Sequence, residues 1–217
     1  MNKNKLRSFG FASAIALLFA MAQGVGATTI SNPGAISIPD SGAATPYPSD
    51  ITVSGLTGTI TDLNVTISGL SHTFPADIDI LLVGPGGQKI ILMSDVGGAT
   101  DVLNINLTLD DEAVLLLPVT PLSTGSFRPN NVDNSDIFPG PAPAGPYGSL
   151  LSDFDGTNPN GTWSLYVLDD FAADEGTIAN GWSLDISTAA AVPEPGSLML
   201  LSLGFAGLAA RRFKKQG

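Results

Sequence analysis

From Leu63 the chain alternates apolar and polar residues one by one. Leu63, Val65 and Ile67 fall on one side of an extended segment, and Asp62, Asn64 and Thr66 on the other. Successive side chains of a strand point to opposite faces, so a period of two is the pattern of a half-buried strand. It recurs in short runs. Residues 77–84 set Ile78, Ile80 and Leu82 on one face, residues 84–87 (Gly-Pro-Gly-Gly) make a turn, and residues 88–94 follow as the hairpin partner. Residues 102–109 alternate Val102, Asn104, Asn106 and Thr108 against Leu103, Ile105, Leu107 and Leu109. Segments around Trp163 and Trp182 repeat the pattern, with both indoles in positions that read as core. No segment sustains helical periodicity over three turns, and Gly, Pro, Asn and Asp separate the runs. Such runs are buried by pairing into sheets and packing the sheets face to face, which predicts an all-β fold, a jelly-roll-like two-sheet antiparallel β-sandwich.

There is no cysteine. The sandwich must therefore hold without disulfides, and thiol chemistry, zinc–thiolate sites and iron–sulfur clusters are excluded. Residues 115–161 break the alternation with a run of Pro and Gly, interrupted by a brief apolar contact at Leu150, Leu151 and Phe154. A linker between two domains would leave too few strands after it to form a sheet, so this stretch reads as a long ordered loop over one edge of the sandwich. Phe127, Phe138, Tyr147 and Phe154 are the side chains that pin it, by plain packing.

Both ends carry targeting segments. Residues 1–27 have a basic start (Lys3, Lys5, Arg7), an apolar run over residues 9–21, and small residues at Val25 and Ala27 ahead of Thr28. That is the anatomy of a secretory signal peptide cleaved after Ala27. Residues 193–217 pair Pro193, Glu194 and Pro195 with an apolar stretch over residues 197–210 and a basic end at Arg211, Arg212, Lys214 and Lys215. As a helix the apolar stretch spans about 21 Å, short of the ~30 Å hydrocarbon core of a bilayer. The two prolines hold the segment before it extended and accessible. This tail resembles the PEP-CTERM sorting signal of exopolysaccharide-producing Gram-negative bacteria. The resemblance implies a transient transmembrane helix in the inner membrane, processing by an exosortase, and delivery to the cell surface or matrix.

Between these ends, residues 28–192 form one domain by length. Seven of the nine basic residues lie in the two targeting segments, so the core keeps Lys89 and Arg128 against nineteen of the twenty acids, a formal net charge of −17. Such a surface repels nucleic acid and anionic lipid and attracts hard cations.

The succession LNVTISGLSHTFPADIDILLVGPGGQKIILMS, followed after the loop by NGTWSLYVLDDFAADEGTIANGWSLDI, resembles the P domain of proprotein convertases, the P/Homo B domain. The landmarks are His72 and Thr73, Asp77, the turn at residues 84–87, Gly161 and Trp163, the acidic loop over residues 169–176, and Trp182. They cover residues 56–186. The resemblance implies a jelly-roll sandwich and, as in bacterial P domains, calcium near acidic loops. Such domains usually stand behind a subtilisin-like protease, and this chain is expected to act without one.

Calcium takes six to eight oxygens, which loops rich in Asp, Asn and Gly supply readily. Three loops qualify: Asp95 and Asp101; Asp110 and Asp111 with Glu112; and Asp169, Asp170 and Asp174 with Glu175. A fourth, with Asp153, Asp155 and Asn158, is weaker. None has EF-hand spacing. A catalytic triad would have to use the single histidine, His72, yet Ser71 beside it points to the opposite face. His72 is expected to pack at a strand end and bond the backbone. A carboxylate-pair hydrolase lacks exposed aromatic rings on which a glycan would stack. The expectation is a non-enzymatic, calcium-stabilised surface or matrix protein that binds exopolysaccharide or another surface protein. The alternatives are a purely structural acidic matrix protein, or a carboxylate-dependent hydrolase.

Overall fold

The computed structural model describes residues 26–133 and 135–189. Strand β1 (Thr28–Asn32) starts directly after the expected cleavage point. The remaining strands are β2 (Ile36–Ile38), β3 (Gly42–Ala43), β4 (Ser49–Val53), β5 (Ile60–His72), β6 (Ile78–Val83), β7 (Lys89–Ser94), β8 (Val102–Leu109), β9 (Gly125–Phe127), β10 (Asn130–Asn131), β11 (Gly161–Asp169), β12 (Gly176–Ile178) and β13 (Trp182–Thr188). They form two sheets. The first runs β1-β13-β5-β12-β2, with β8 on the other side of β5 and β9 beside β8; the second runs β10-β7-β6-β11-β3, with β4 also paired to β11. The fold is an all-β sandwich, as the alternation predicts.

The first sheet is organised around β5, whose 13 residues pair with β13 and β12 on one edge and β8 on the other. Leu63, Val65 and Ile67 point inward, but past Gly69 the inward residues are Leu70 and His72. The register against β8 slips at that point, and Gly69 has φ +76°, a left-handed conformation that glycine adopts without strain. The bulge thus moves the inward phase by one residue and turns His72 into the sandwich.

The same irregularity corrects the reading of β8. Asn104 has φ 52°, and Val102 is buried on the same side as Leu107 and Leu109, while Leu103 is 83% exposed. Strict alternation put Leu103 with the other leucines; the kink at Asn104 reverses the phase before it.

The hairpin of β6 and β7 closes through the glycine turn as expected, with Gly87 N–H bonding Gly84 O. Its strands differ from half-buried ones in being covered on both faces. Ile78, Ile80 and Leu82 face the main core with Trp163 and Trp182, while Leu81 and Ile91 join Phe138, Tyr166 and Leu168 in a second cluster. That cluster is roofed by the Pro/Gly stretch, through Ala142 and Tyr147 as well as Phe138. The described residues of this stretch, 115–133 and 135–161, cover an outer face of the second sheet rather than an edge alone, and they contribute β9 and β10. Phe154 packs on Trp163 with ring centroids 4.9 Å apart, so the aromatic residues of the stretch do pin it. No helix among the described residues is long and apolar enough to cross a membrane. All but the last two residues of the expected signal peptide (residues 1–27), and the whole expected tail (residues 193–217), lie outside the described residues.

Candidate functional site

In the second sheet β6 runs antiparallel to both neighbours, so Ile78 at its start pairs with Asp169 at the end of β11, and Ile80 with Met93 near the end of β7. Strand β10 joins that same end, Asn131 standing beside Ser94. Asp77, Asp79, Asp95, Asp136, Asp169 and Asp170 are thereby gathered at one end of one sheet. Asp170 N–H bonds Asp77 O at 3.0 Å, which ties the loop after β11 to the start of β6.

Asp79, Asp95 and Asp136 each offer a carboxylate oxygen within 4.8 Å of the others. Asp79 lies on the face of β6 opposite Ile78 and Ile80 and is 2% exposed. Burial, then the charges of Asp136, Asp170 and Asp95, push its carboxyl up to about 8, against the pull of Ser94. Ser94 Oγ sits 3.0 Å from both Asp95 Oδ2 and Asp136 Oδ1. Asn131 Nδ2 donates to Asp136 Oδ2, and Asn131 Oδ1 is buried with no partner. Burial also raises Asp136 and Asp170.

The neighbouring group holds His72. Phe74 N–H donates to its Nδ1 at 3.1 Å, so that nitrogen carries no proton; Nε2 carries it and donates to Asp169 Oδ2, also at 3.1 Å. The expected backbone bond is present. The partner on the other nitrogen was missed, because Asp169 is 97 residues away in sequence. Phe171 N–H bonds the other oxygen of Asp169, whose carboxyl burial still holds above the ordinary range. Asp77, 8% exposed, has a buried Oδ2 without a partner. Burial and the charges of Asp169, Asp174 and Asp170 push it up to about 6.

The other predicted acids are elsewhere. Asp101 is exposed at the start of β8, outside both groups. Asp110 and Asp111 belong to a second acidic patch, where Asp62, Asp111, Glu112 and Asp155 line a shallow hollow with Thr61, Leu151 and Ser152. Glu112 N–H bonds Asp110 Oδ1 at 2.7 Å and Ser152 N–H bonds Asp111 Oδ2 at 2.8 Å. Burial and mutual repulsion raise Asp62 and Asp155. Of the seven predicted ligands, then, only Asp95 enters the tight three-acid group. Asp79 and Asp136 escaped notice, one inside an apolar strand and the other in a Pro-rich stretch.

Neither basic residue of the core relieves these charges. Lys89 Nζ donates to Ala144 O and lies 5.7 Å from the Tyr147 ring centroid, and Arg128 is exposed on the β9–β10 stretch. Among the described residues no Lys or Arg pairs with an acid, and the single histidine–carboxylate contact is that of His72 with Asp169.

Residues 191–215 match the model of the PEP-CTERM protein-sorting motif. The chain ends in a PEP-CTERM sorting tail. Pro193, Glu194, Pro195, Arg211 and Arg212 all fall inside it, and the motif indicates exosortase-dependent export, with transient membrane anchoring, toward the cell surface. No curated protein matches the chain. Among solved structures it is similar to the Aeromonas sobria serine protease in complex with the chaperone ORF2, at 18% identity and a TM-score of 0.38, over 76% of this chain and 26% of that one. The serine protease of Aeromonas sobria determined separately gives 17% identity and a TM-score of 0.36, over 75% and 26%. The chain thus spans about a quarter of the length of these proteins, and the likeness carries no argument about activity.

Proposed function

We propose that the protein is an exported, non-catalytic β-sandwich of the P-domain type, stabilised by calcium and displayed on the cell surface or in the matrix, where it binds exopolysaccharide or another surface protein. The sorting tail at residues 191–215 is the observation that carries this reading. The commitment of the single histidine agrees with it: with Nδ1 accepting from a backbone N–H and Nε2 donating to Asp169, His72 has no lone pair free to activate a nucleophile. The buried carboxylates at one end of the second sheet, with no Lys or Arg among them, supply the oxygen-rich, negatively charged setting that calcium takes.

The test is made in an exosortase-containing host. Replacing Glu194 by Ala, or both Pro193 and Pro195, is expected to leave full-length protein in the inner-membrane fraction, while the natural chain appears processed at the surface. Unchanged processing would overturn the sorting clause. Binding of the surface form to isolated exopolysaccharide or surface protein tests the display clause, and its absence would leave a purely structural component.

A further inference from the structure

We infer that Asp79, Asp95 and Asp136 together hold one calcium ion, and that this ion fastens the Pro/Gly stretch to the second sheet. The inference rests on the calcium-stabilised sandwich proposed above and adds which residues bind the ion and what it does. Three segments far apart in sequence converge here: Asp79 from β6, Asp95 from the turn after β7, and Asp136 from the stretch after β10.

Donors are scarce at this point. Asp79 is almost wholly buried, and the donor next to it is Ser94 Oγ, which has a single proton and already lies 3.0 Å from both Asp95 and Asp136. One hydroxyl proton cannot serve three carboxylates, so at least two of them stand without it. A buried carboxylate with neither donor nor cation is costly, and a cation relieves all three at once. Asn131 adds a further oxygen with no partner, buried on a side chain whose amide nitrogen bonds Asp136.

The chemistry of the set selects the cation. All the candidate ligands are oxygens, which disfavours zinc and suits hard ions. Oxygens within 4.8 Å of one another can all touch one ion whose bonds to oxygen measure about 2.3–2.6 Å. Magnesium, with bonds of about 2.0–2.1 Å and a demand for near-octahedral geometry, fits a rigid three-strand junction less well.

The place of the site gives it a consequence. Strand β10 holds β7 through two residue pairs, Asn130 with Met93 and Asn131 with Ser94, and the chain then roofs the outer cluster through Phe138 and Tyr147 before Gly148 returns to β7 beside Ile90. An ion shared by Asp136, Asp95 and Asp79 closes that junction from the far side.

To test this, the full-length chain is purified in mild detergent, stripped with a chelator and titrated with CaCl2 by calorimetry, with chymotrypsin cleavage after Tyr147 followed in parallel. The expected result is binding that Asp95→Asn and Asp136→Asn each weaken at least about tenfold, with faster cleavage after Tyr147 when calcium is removed. These two residues are less buried than Asp79, so their variants are expected to keep the near-ultraviolet spectrum of the folded chain. Binding that persists in both variants but disappears in Asp170→Asn overturns this site and leaves a calcium-stabilised sandwich standing. A folded natural chain that takes up no calcium overturns both.

Discussion

His72 Nε2 lies 3.1 Å from Asp169 Oδ2, and both side chains are sealed from solvent. The bond crosses between the sheets, His72 ending β5 of the first and Asp169 ending β11 of the second. His72→Ala would leave a carboxylate oxygen and the Phe74 N–H without partners and would open a cavity. The expected loss is about 3 kcal/mol in urea unfolding, with an unchanged denaturant slope. A loss below about 0.5 kcal/mol, the range of surface substitutions, would mean that the pair is open to water.

Gly176 faces the same ring. A Cβ placed there would stand 2.3 Å from His72 Cδ2 and 2.3 Å from Ser71 O, and the second of these is backbone that cannot swing aside. Gly176→Ala is therefore expected to cost about 1–3 kcal/mol or more through overpacking. Combined with His72→Ala it should cost less than the sum of the two single changes, because the vacated ring space relieves one of the two clashes. Strict additivity in a double-mutant cycle would count against the close approach.

Asp77 and Asp79 make the calcium-free protein pH-sensitive in an unusual direction. Their carboxyls rise from an ordinary 3.8 to about 6 and about 8, so the folded chain holds these protons more tightly than the unfolded chain. Their stabilising contribution is complete below the unfolded value and is lost as pH rises, through about 6 for Asp77 and about 8 for Asp79. In chelator, the melting temperature is expected to fall across that window, and Asp79→Asn to flatten its upper half. A melting temperature that rises over the same range in chelator would show that both groups are ionised and compensated in the folded state.

Elements carried by local pattern could be read from the sequence. Leu63, Val65 and Ile67 announced β5, the glycine turn announced the β6–β7 hairpin, and Trp163 and Trp182 were placed in the core, where they are 0% and 1% exposed. Strands β1 to β4 carried too little signal, being two to five residues long and separated by Pro, Gly and Ser. Leu103 was misplaced because a single left-handed residue, Asn104, reversed the phase of its strand. The acidic site was readable only in part. Asp95 stands in an obvious turn, but its companions Asp79 and Asp136 meet it through the order of strands in a sheet, which no local spacing encodes. Asp169 was expected to serve a metal; the bond it makes to His72, which the bulge at Gly69 turns toward it, had no local signal in the sequence.

A second bond between the sheets gives the last prediction. Trp182 Nε1 donates to Ser49 Oγ at 3.0 Å, linking β13 of the first sheet to β4 of the second inside the core, where both residues are about 1% exposed. Ser49→Ala removes the acceptor but leaves the indole N–H buried, so its cost is that of an unsatisfied donor, about 1–3 kcal/mol. Trp182→Phe removes the donor and also empties part of the indole site, so it should cost more, in the range of about 3–5 kcal/mol expected at most for a deeper truncation of a core aromatic. Once the donor is gone, Ser49→Ala has no indole left to orphan. In the Trp182→Phe background it should cost clearly less than in the natural chain, giving a coupling of about 1 kcal/mol in a cycle measured by chemical denaturation. A coupling near zero would mean that the serine hydroxyl satisfies Asn32 rather than the tryptophan, since Asn32 Nδ2 also reaches Ser49 Oγ, at the longer distance of 3.3 Å.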